Sequence, residues 1–417
     1  MRLGSLILLA LLGCGMMAWG QQTVFRTRPA EQQERITVRA GILLVESSHW
    51  ENPEFAYLMV LNDPRYGLKP AGWEFENPLA PEKITDQLDE LWNPANNKPV
   101  LFPGYAIQDT HQDEQSCPHW VNNTIPAAQF YQNPLAATVH TRPEQLPRFY
   151  KPKGTPVTKD MPQYWEVPLT PSTASELSNF DILFLHTHRL VNLTAQELSW
   201  IQRFVDGGGT LWLENSHGSR IATQADLVDP KVGDKNPRLV NFFLPFQYRD
   251  SWPARPQGYG PNYGLNPTGF NPFPKYPVAR DHPLLNQPFR LTDEEVNNLG
   301  DVPWADHLVV PPETLTFLQE IVRSGYLLTD DPLSNQPYNP PAIVAGAYGS
   351  GRVIICGVNV LDDVSQIIMR NPSWPDQVTS PHPSQVADVK FMYNVLHWAH
   401  EWSQARGNPR HHGRAIR

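Results

Sequence analysis

Apolar positions along the chain gather into a few dense runs, separated by long polar and proline-rich stretches. The first run after the N-terminal region covers 36–45, where Val38, Ile42, Leu43, Leu44 and Val45 leave little polar alternation. A strand covered on both faces reads this way, and parallel sheets supply that environment. Phe180-Asp181-Ile182-Leu183-Phe184-Leu185 is a second such strand. Thr194-Ala195-Gln196-Glu197 then has the form of a capping box. Leu198, Ile201, Phe204 and Val205 follow at helical spacing. Gly207-Gly208-Gly209 ends that helix, because glycine takes the left-handed conformation favoured there. Thr210-Leu211-Trp212-Leu213 is the next strand. Strand, helix, glycine stop and strand make a βαβ unit, whose crossover is right-handed in nearly all cases.

Further on, Thr292-Asp293-Glu294-Glu295 caps a short helix. Residues 342–348 and 353–358 read as antiparallel strands around the turn Gly349-Ser350-Gly351-Arg352. Val389, Met392, Val395, Leu396 and Ala399 predict a last helix over about 384–402. Two stretches, 62–165 and 250–283, resist this reading, apart from a weak helical patch at 84–91. They are dense in Pro, Asn, Trp and Tyr. The 43 prolines are about twice the average share, and proline forbids long regular elements. The expectation is one α/β domain over 35–402: an open, mostly parallel, flavodoxin-like sheet with antiparallel strands near its C-terminus and two long loop insertions. Residues 21–34 form a lead-in, and 403–417 a basic tail.

The N-terminus changes the address. Arg2 precedes an apolar stretch from Leu3 to Trp19, and Ala18-Trp19-Gly20 fits a small-x-small cleavage pattern. Residues 1–20 therefore read as a secretory signal, and the mature chain as periplasmic or secreted and bacterial in type. A competing reading takes Leu11-Leu12-Gly13-Cys14 as a lipoprotein box with Cys14 acylated, but the residues after Cys14 stay apolar. No later segment is long and apolar enough to cross a bilayer. With 33 basic and 42 acidic residues the formal charge is −9, which argues against a nucleic-acid surface. Cys117 and Cys356 could pair in an oxidising compartment. Cys356 lies in an apolar run, where a buried free thiol is the commoner state.

Candidate chemistry gathers where strands end. In open α/β sheets ligands bind beyond the carboxyl ends of the strands. The three best strands finish in Glu46-Ser47-Ser48-His49, His186-Thr187-His188 and Glu214-Asn215-Ser216-His217. Such ends would bring His49, His186, His188, Glu214 and Asn215 to one edge as binding groups. Turns at strand ends are polar in any protein, and that is the structural alternative. His186 and His188 point to one side of an extended chain. With His217 or His49 they could hold zinc open to water, although no cofactor is the preferred reading. Ser216 could act as a nucleophile with His186 or His188 as base and Glu46 or Glu214 as orienting carboxylate. Ser216 and Asn215 could equally cap the following helix. The aromatics of the excursions (Trp50, Tyr57, Trp73, Phe75, Trp92, Trp120, Tyr164 and Trp165, then Trp252, Tyr259, Tyr263 and Phe270) could stack on saccharide or pin the loops to the core.

A helix ending in a glycine pair, an apolar strand and a sharp turn into a helix resembles the class I glutamine amidotransferase-like superfamily. Ser216-His217-Gly218 is similar to the Cys-His-Gly turn of its intracellular-protease branch, with serine in place of cysteine. That resemblance implies catalytic positions at Ser216 and His217, with Glu46 where the branch keeps a glutamate near the nucleophile. The layout resembles still more an uncharacterised bacterial family, a domain of unknown function. Its marks here are 183–188, the Gly-Gly strand, Asp281-His282-Pro283-Leu284 with Pro288, and the Gly349 to Arg352 turn. The resemblance covers about 175–402 and, loosely, 36–50. Without the elbow cysteine, whose thiolate is the strong nucleophile at neutral pH, glutaminase activity is not expected. The function expected is a non-catalytic binding or interaction module at the cell envelope, for a small molecule, a saccharide or an envelope protein. The alternative is a hydrolase using Ser216 or a His-bound metal.

Overall fold

The computed structural model describes residues 35–44, 56–90, 92–93, 98–99, 154–186, 195–214, 247–250, 274–300, 306–310, 312–325, 339–369, 376–378 and 381–405. Among them, nine strands form one open sheet. In chain order these are β1 (Ile36–Leu44), β2 (Trp73–Glu76), β3 (Glu166–Pro168), β4 (Ile182–His186), β5 (Thr210–Glu214), β6 (Lys275–Pro277), β7 (Leu318–Ser324), β8 (Pro341–Tyr348) and β9 (Gly351–Cys356). Across the sheet they run β2-β1-β4-β5-β9-β8-β7-β6, and β3 pairs with the second half of β1. The pairings of β1 with β2, β3 and β4, of β4 with β5 and of β5 with β9 are parallel. From β9 through β8 and β7 to β6 they are antiparallel. This is the open, mostly parallel α/β sheet with antiparallel C-terminal strands that the apolar runs predict.

The central strands are those most legible in the sequence. All five residues of β5 are buried, Glu214 included. Burial on both faces is the condition that produces a continuous apolar run. The helix after β4, α3 (Ala195–Asp206), buries Trp200, Ile201, Phe204 and Val205. It ends in a Schellman arrangement: Gly208 N–H bonds to Val205 O at 2.8 Å and Gly209 N–H to Phe204 O at 3.0 Å. Gly208 takes φ +95° there, which a side chain would resist. The hairpin from β8 to β9 turns through Gly349 at φ +56°. At Gly351 a Cβ would lie 2.2 Å from Val205 O, so the hairpin packs directly on the end of α3.

The last helix is longer than its periodicity predicts, spanning Pro383–Ala405. It lies over the sheet, with Phe391 5.8 Å from Trp212 between ring centroids. It also bonds a short helix, Tyr57–Asn62, through Tyr393 Oη to Leu61 O at 2.9 Å. The capping box at Thr292 is formed on the helix Asp293–Asn297, with both reciprocal bonds present.

Several elements go beyond the sequence reading. Within the stretch 62–165 the helical patch expected at 84–91 is the helix Pro81–Glu90, and edge strand β2 is an element the sequence reading did not have. Strands β2, β3 and β6 span only three or four residues, too few for a periodicity to register. In β7, register shifts around Val322 break the alternation. Among the described residues no helix is long and apolar enough to cross a membrane.

Candidate functional site

Because β1, β4, β5 and β9 run parallel, Leu44, His186, Glu214 and Cys356 all leave the sheet at one edge. His186 is the register partner of Glu214, and Glu214 that of Cys356. Glu214 is fully buried. Its Oε1 accepts the amide of Leu361 at 2.8 Å, in the first turn of the helix Val360–Met369. An acceptor with negative charge is favoured at that position by the helix dipole and the uncommitted amides of the first turn. Strand β5 is thereby tied to the helix that follows β9.

Glu214 adds to the effect of burial on two neighbours. The Cys356 thiol is fully buried and pushed well up, first by burial and then by the Glu214 charge. It donates to Val358 O at 3.1 Å. The Tyr57 hydroxyl is likewise raised by burial and by Glu214. A thiol in such a setting stays protonated and unreactive. Cys356 is a buried free cysteine.

Of the residues singled out from sequence at this edge, the structure describes Glu214 and the backbone of His186. Glu46, His49, His188, Asn215, Ser216 and His217 lie outside the described residues, as do Cys14, Cys117 and residues 1–34. A zinc on His186 and His188 would need further donors, and the Oε1 of the acid at this edge is committed to Leu361. Among the described residues no group of three or more His, Cys, Asp or Glu is placed to hold a metal ion. Tyr57, Trp73, Phe75, Tyr164 and Trp165 are buried and pack inward, while Trp50, Trp120, Trp252, Tyr259, Tyr263 and Phe270 lie outside the described residues.

Sequence reasoning missed a second buried polar group. Asp388, on the last helix, accepts the Gly300 amide at 2.8 Å and is fully buried. Burial first, then the neighbouring Asp363 carboxyl, raise its pKa well above the usual carboxylate range. Lys275 on β6 acts in the opposite sense. In sequence these acids sit within helical segments and carry no spacing that brings them together. At the amino edge Asp181 plays a similar structural part: it accepts from Arg39 N at 2.9 Å and from Ser403 Oγ at 2.7 Å.

No protein-family model matches the chain, and no curated protein does. A ThuA-like protein from Bacteroides uniformis aligns with a TM-score of 0.32 and 8% identity, over 88% of this chain and 92% of its own. A cytoplasmic protein of Salmonella typhimurium aligns with a TM-score of 0.29 and 15% identity, over 56% of this chain and 79% of its own. Likenesses of this size transfer no function.

Proposed function

We propose that the chain is an exported, non-catalytic binding module. Its amidotransferase-like α/β core holds a small molecule, a saccharide or an envelope protein at the carboxyl edge of the sheet. The observation that carries this reading is the commitment of Glu214. The fully buried acid at that edge bonds the Leu361 amide, so it serves the scaffold that presents the edge. The neighbouring thiol of Cys356 is buried and held protonated, and it supplies no nucleophile. The segments that continue from β1, β4 and β5 carry His49, His188, Asn215, Ser216 and His217, polar groups suited to grip a ligand at the strand ends. Export rests on the apolar leader and its small-x-small end.

The test uses the mature protein recovered from the cell envelope or medium. Its metal content is measured, and it is treated with a serine-directed fluorophosphonate. A metal-free protein that takes no label supports the module. Stoichiometric metal lost in His186→Ala with His188→Ala, or labelling abolished by Ser216→Ala, overturns it in favour of a hydrolase at the same edge.

A further inference from the structure

Lys390, Asn394 and Trp398 recur at intervals of four along the last helix, so they share one face of it. Residues 282–300 are fastened to that face along their length. The His282 ring lies 5.5 Å from that of Trp398. Asn394 Nδ2 donates to Leu284 O at 2.9 Å and to Phe289 O at 2.7 Å, and Asn394 Oδ1 accepts from Phe289 N at 2.8 Å. Glu295 pairs with Lys390, and Gly300 N donates to Asp388 at 2.8 Å. Partners on the helix fall from Trp398 to Asp388 as the segment rises from His282 to Gly300, so it runs antiparallel to the helix as a strap.

The first fastening depends on a neutral imidazole. His282 Nδ1 accepts the Leu284 amide at 3.2 Å, so the neutral ring carries its proton on Nε2. A second proton enters at Nδ1, where it faces the Leu284 donor and removes that bond. The Arg352 guanidinium, 3.9 Å from the Trp398 ring, faces the imidazole as a like charge. Burial first, then that charge, hold the His282 pKa down to about 4. In an open strap the ring titrates near 6.5, so opening takes up a proton and gains as pH falls below that value. Glu295 acts in the same direction. Burial raises its carboxyl, but the bonds to Lys390 and Thr292 outweigh burial and lower it, so acid weakens its pairing with Lys390. Asp388 acts in the opposite direction, because burial and then the Asp363 carboxyl raise its pKa against the pull of Lys275. Its bond to Gly300 therefore persists in acid.

We propose that residues 282–300 are an acid-opened strap, which lies fastened along the last helix at neutral pH and peels from its His282 end when the imidazole takes a proton, while Gly300 stays tied to Asp388. The device is independent of the ligand held at the strand ends.

Native-state hydrogen exchange of the mature protein at pH 7.5 and pH 4.5, corrected for the intrinsic pH dependence of exchange, tests it. The amides of Leu285, Phe289 and Leu291 report the strap, and those of Leu211 to Leu213 in β5 report global unfolding. The opening constant of the strap should rise about tenfold at the lower pH, after discount for partial exposure of His282, and should outrun that of β5. His282→Asn should remove most of the rise, and Glu295→Gln in that background the remainder. An NMR titration of the His282 ring in wild type reads the same step without any variant and should place it well below 6.5. A ring that titrates near 6.5 in the folded protein overturns the proposal. So does strap exchange that rises only in step with β5, or that rises equally in His282→Asn.

Discussion

The guanidinium carbon of Arg352 lies 3.9 Å from the ring centroid of Trp398. Trp402 supplies a second ring to the same cation, 4.0 Å away, and Arg352 Nη1 donates to Trp398 O at 2.7 Å. Trp402 Nε1 in turn donates to Ser350 O at 3.1 Å. The hairpin between β8 and β9 is thus locked onto the last helix through one arginine. His282 meets the same tryptophan, its ring 5.5 Å from that of Trp398. Two motifs far apart in sequence, Asp281-His282-Pro283-Leu284 and Gly349-Ser350-Gly351-Arg352, therefore converge on one helix.

Arg352→Lys is expected to destabilise the protein despite keeping the charge, by about 1–2 kcal/mol, because a compact ammonium cannot stack between two rings. Arg352→Ala should cost more. Urea unfolding of the two variants gives the ranking; equal loss in both would show that stacking contributes nothing.

His282 accepts the Leu284 amide on Nδ1 at 3.2 Å. Burial, aided by the Arg352 charge, lowers its pKa to about 4. Unfolded, it titrates near 6.5. The folded state therefore disfavours the proton, so the stabilising contribution is full above about pH 6.5 and is lost as pH falls toward 4. After discount for partial exposure, the loss is about 2 kcal/mol. His282→Asn keeps an acceptor for Leu284 and cannot titrate. The difference in unfolding free energy between wild type and variant, measured at pH 7.5 and at pH 4, should shrink or reverse at the lower pH.

Asp388 should behave in the opposite sense. Its carboxyl is raised by burial and by Asp363, so the folded state holds a proton that the unfolded chain releases near pH 4. Stability is then greatest below that value and declines as pH rises toward the folded pKa. Asp388→Asn, which keeps an oxygen for Gly300 N–H, should stabilise at pH 7.5 by about 1–2 kcal/mol and gain little at pH 4. Thermal melts at the two values decide it; a destabilised variant at pH 7.5 would show that the ionised form is the native one.

Glu214→Ala removes the acceptor of the Leu361 amide in a fully buried site. The expected cost is about 2–4 kcal/mol. A companion measurement reads the same site chemically. In a Cys117→Ser background, Cys356 should resist a thiol reagent such as maleimide while the protein is folded, and react at the unfolding rate. Rapid labelling of the native protein would show that the edge is open at this point.

What the sequence determined by itself is the centre of the sheet. Apolar runs such as Ile182 to Leu185 and Leu211 to Leu213 are continuous because both faces of those strands are buried, and that environment leaves its mark on consecutive residues. The glycine stop of α3 and the capping box at Thr292 were legible for a similar reason, since each depends on neighbours in the chain. Glu214, too, was visible in the sequence as an acid closing an apolar strand.

Only the tertiary structure decided what that acid does. Its partner Leu361 lies far along the chain, and no local pattern encodes a bond of that separation. The same holds for Asp388 with Gly300 and for the arginine sandwich at Trp398 and Trp402. Edge strands as short as Trp73–Glu76 and Lys275–Pro277 exist because β1 and β7 offer them hydrogen bonds, not because their few residues insist on being strands. Sequence records burial where neighbouring residues share it; the fold supplies the contacts that join residues distant in the chain.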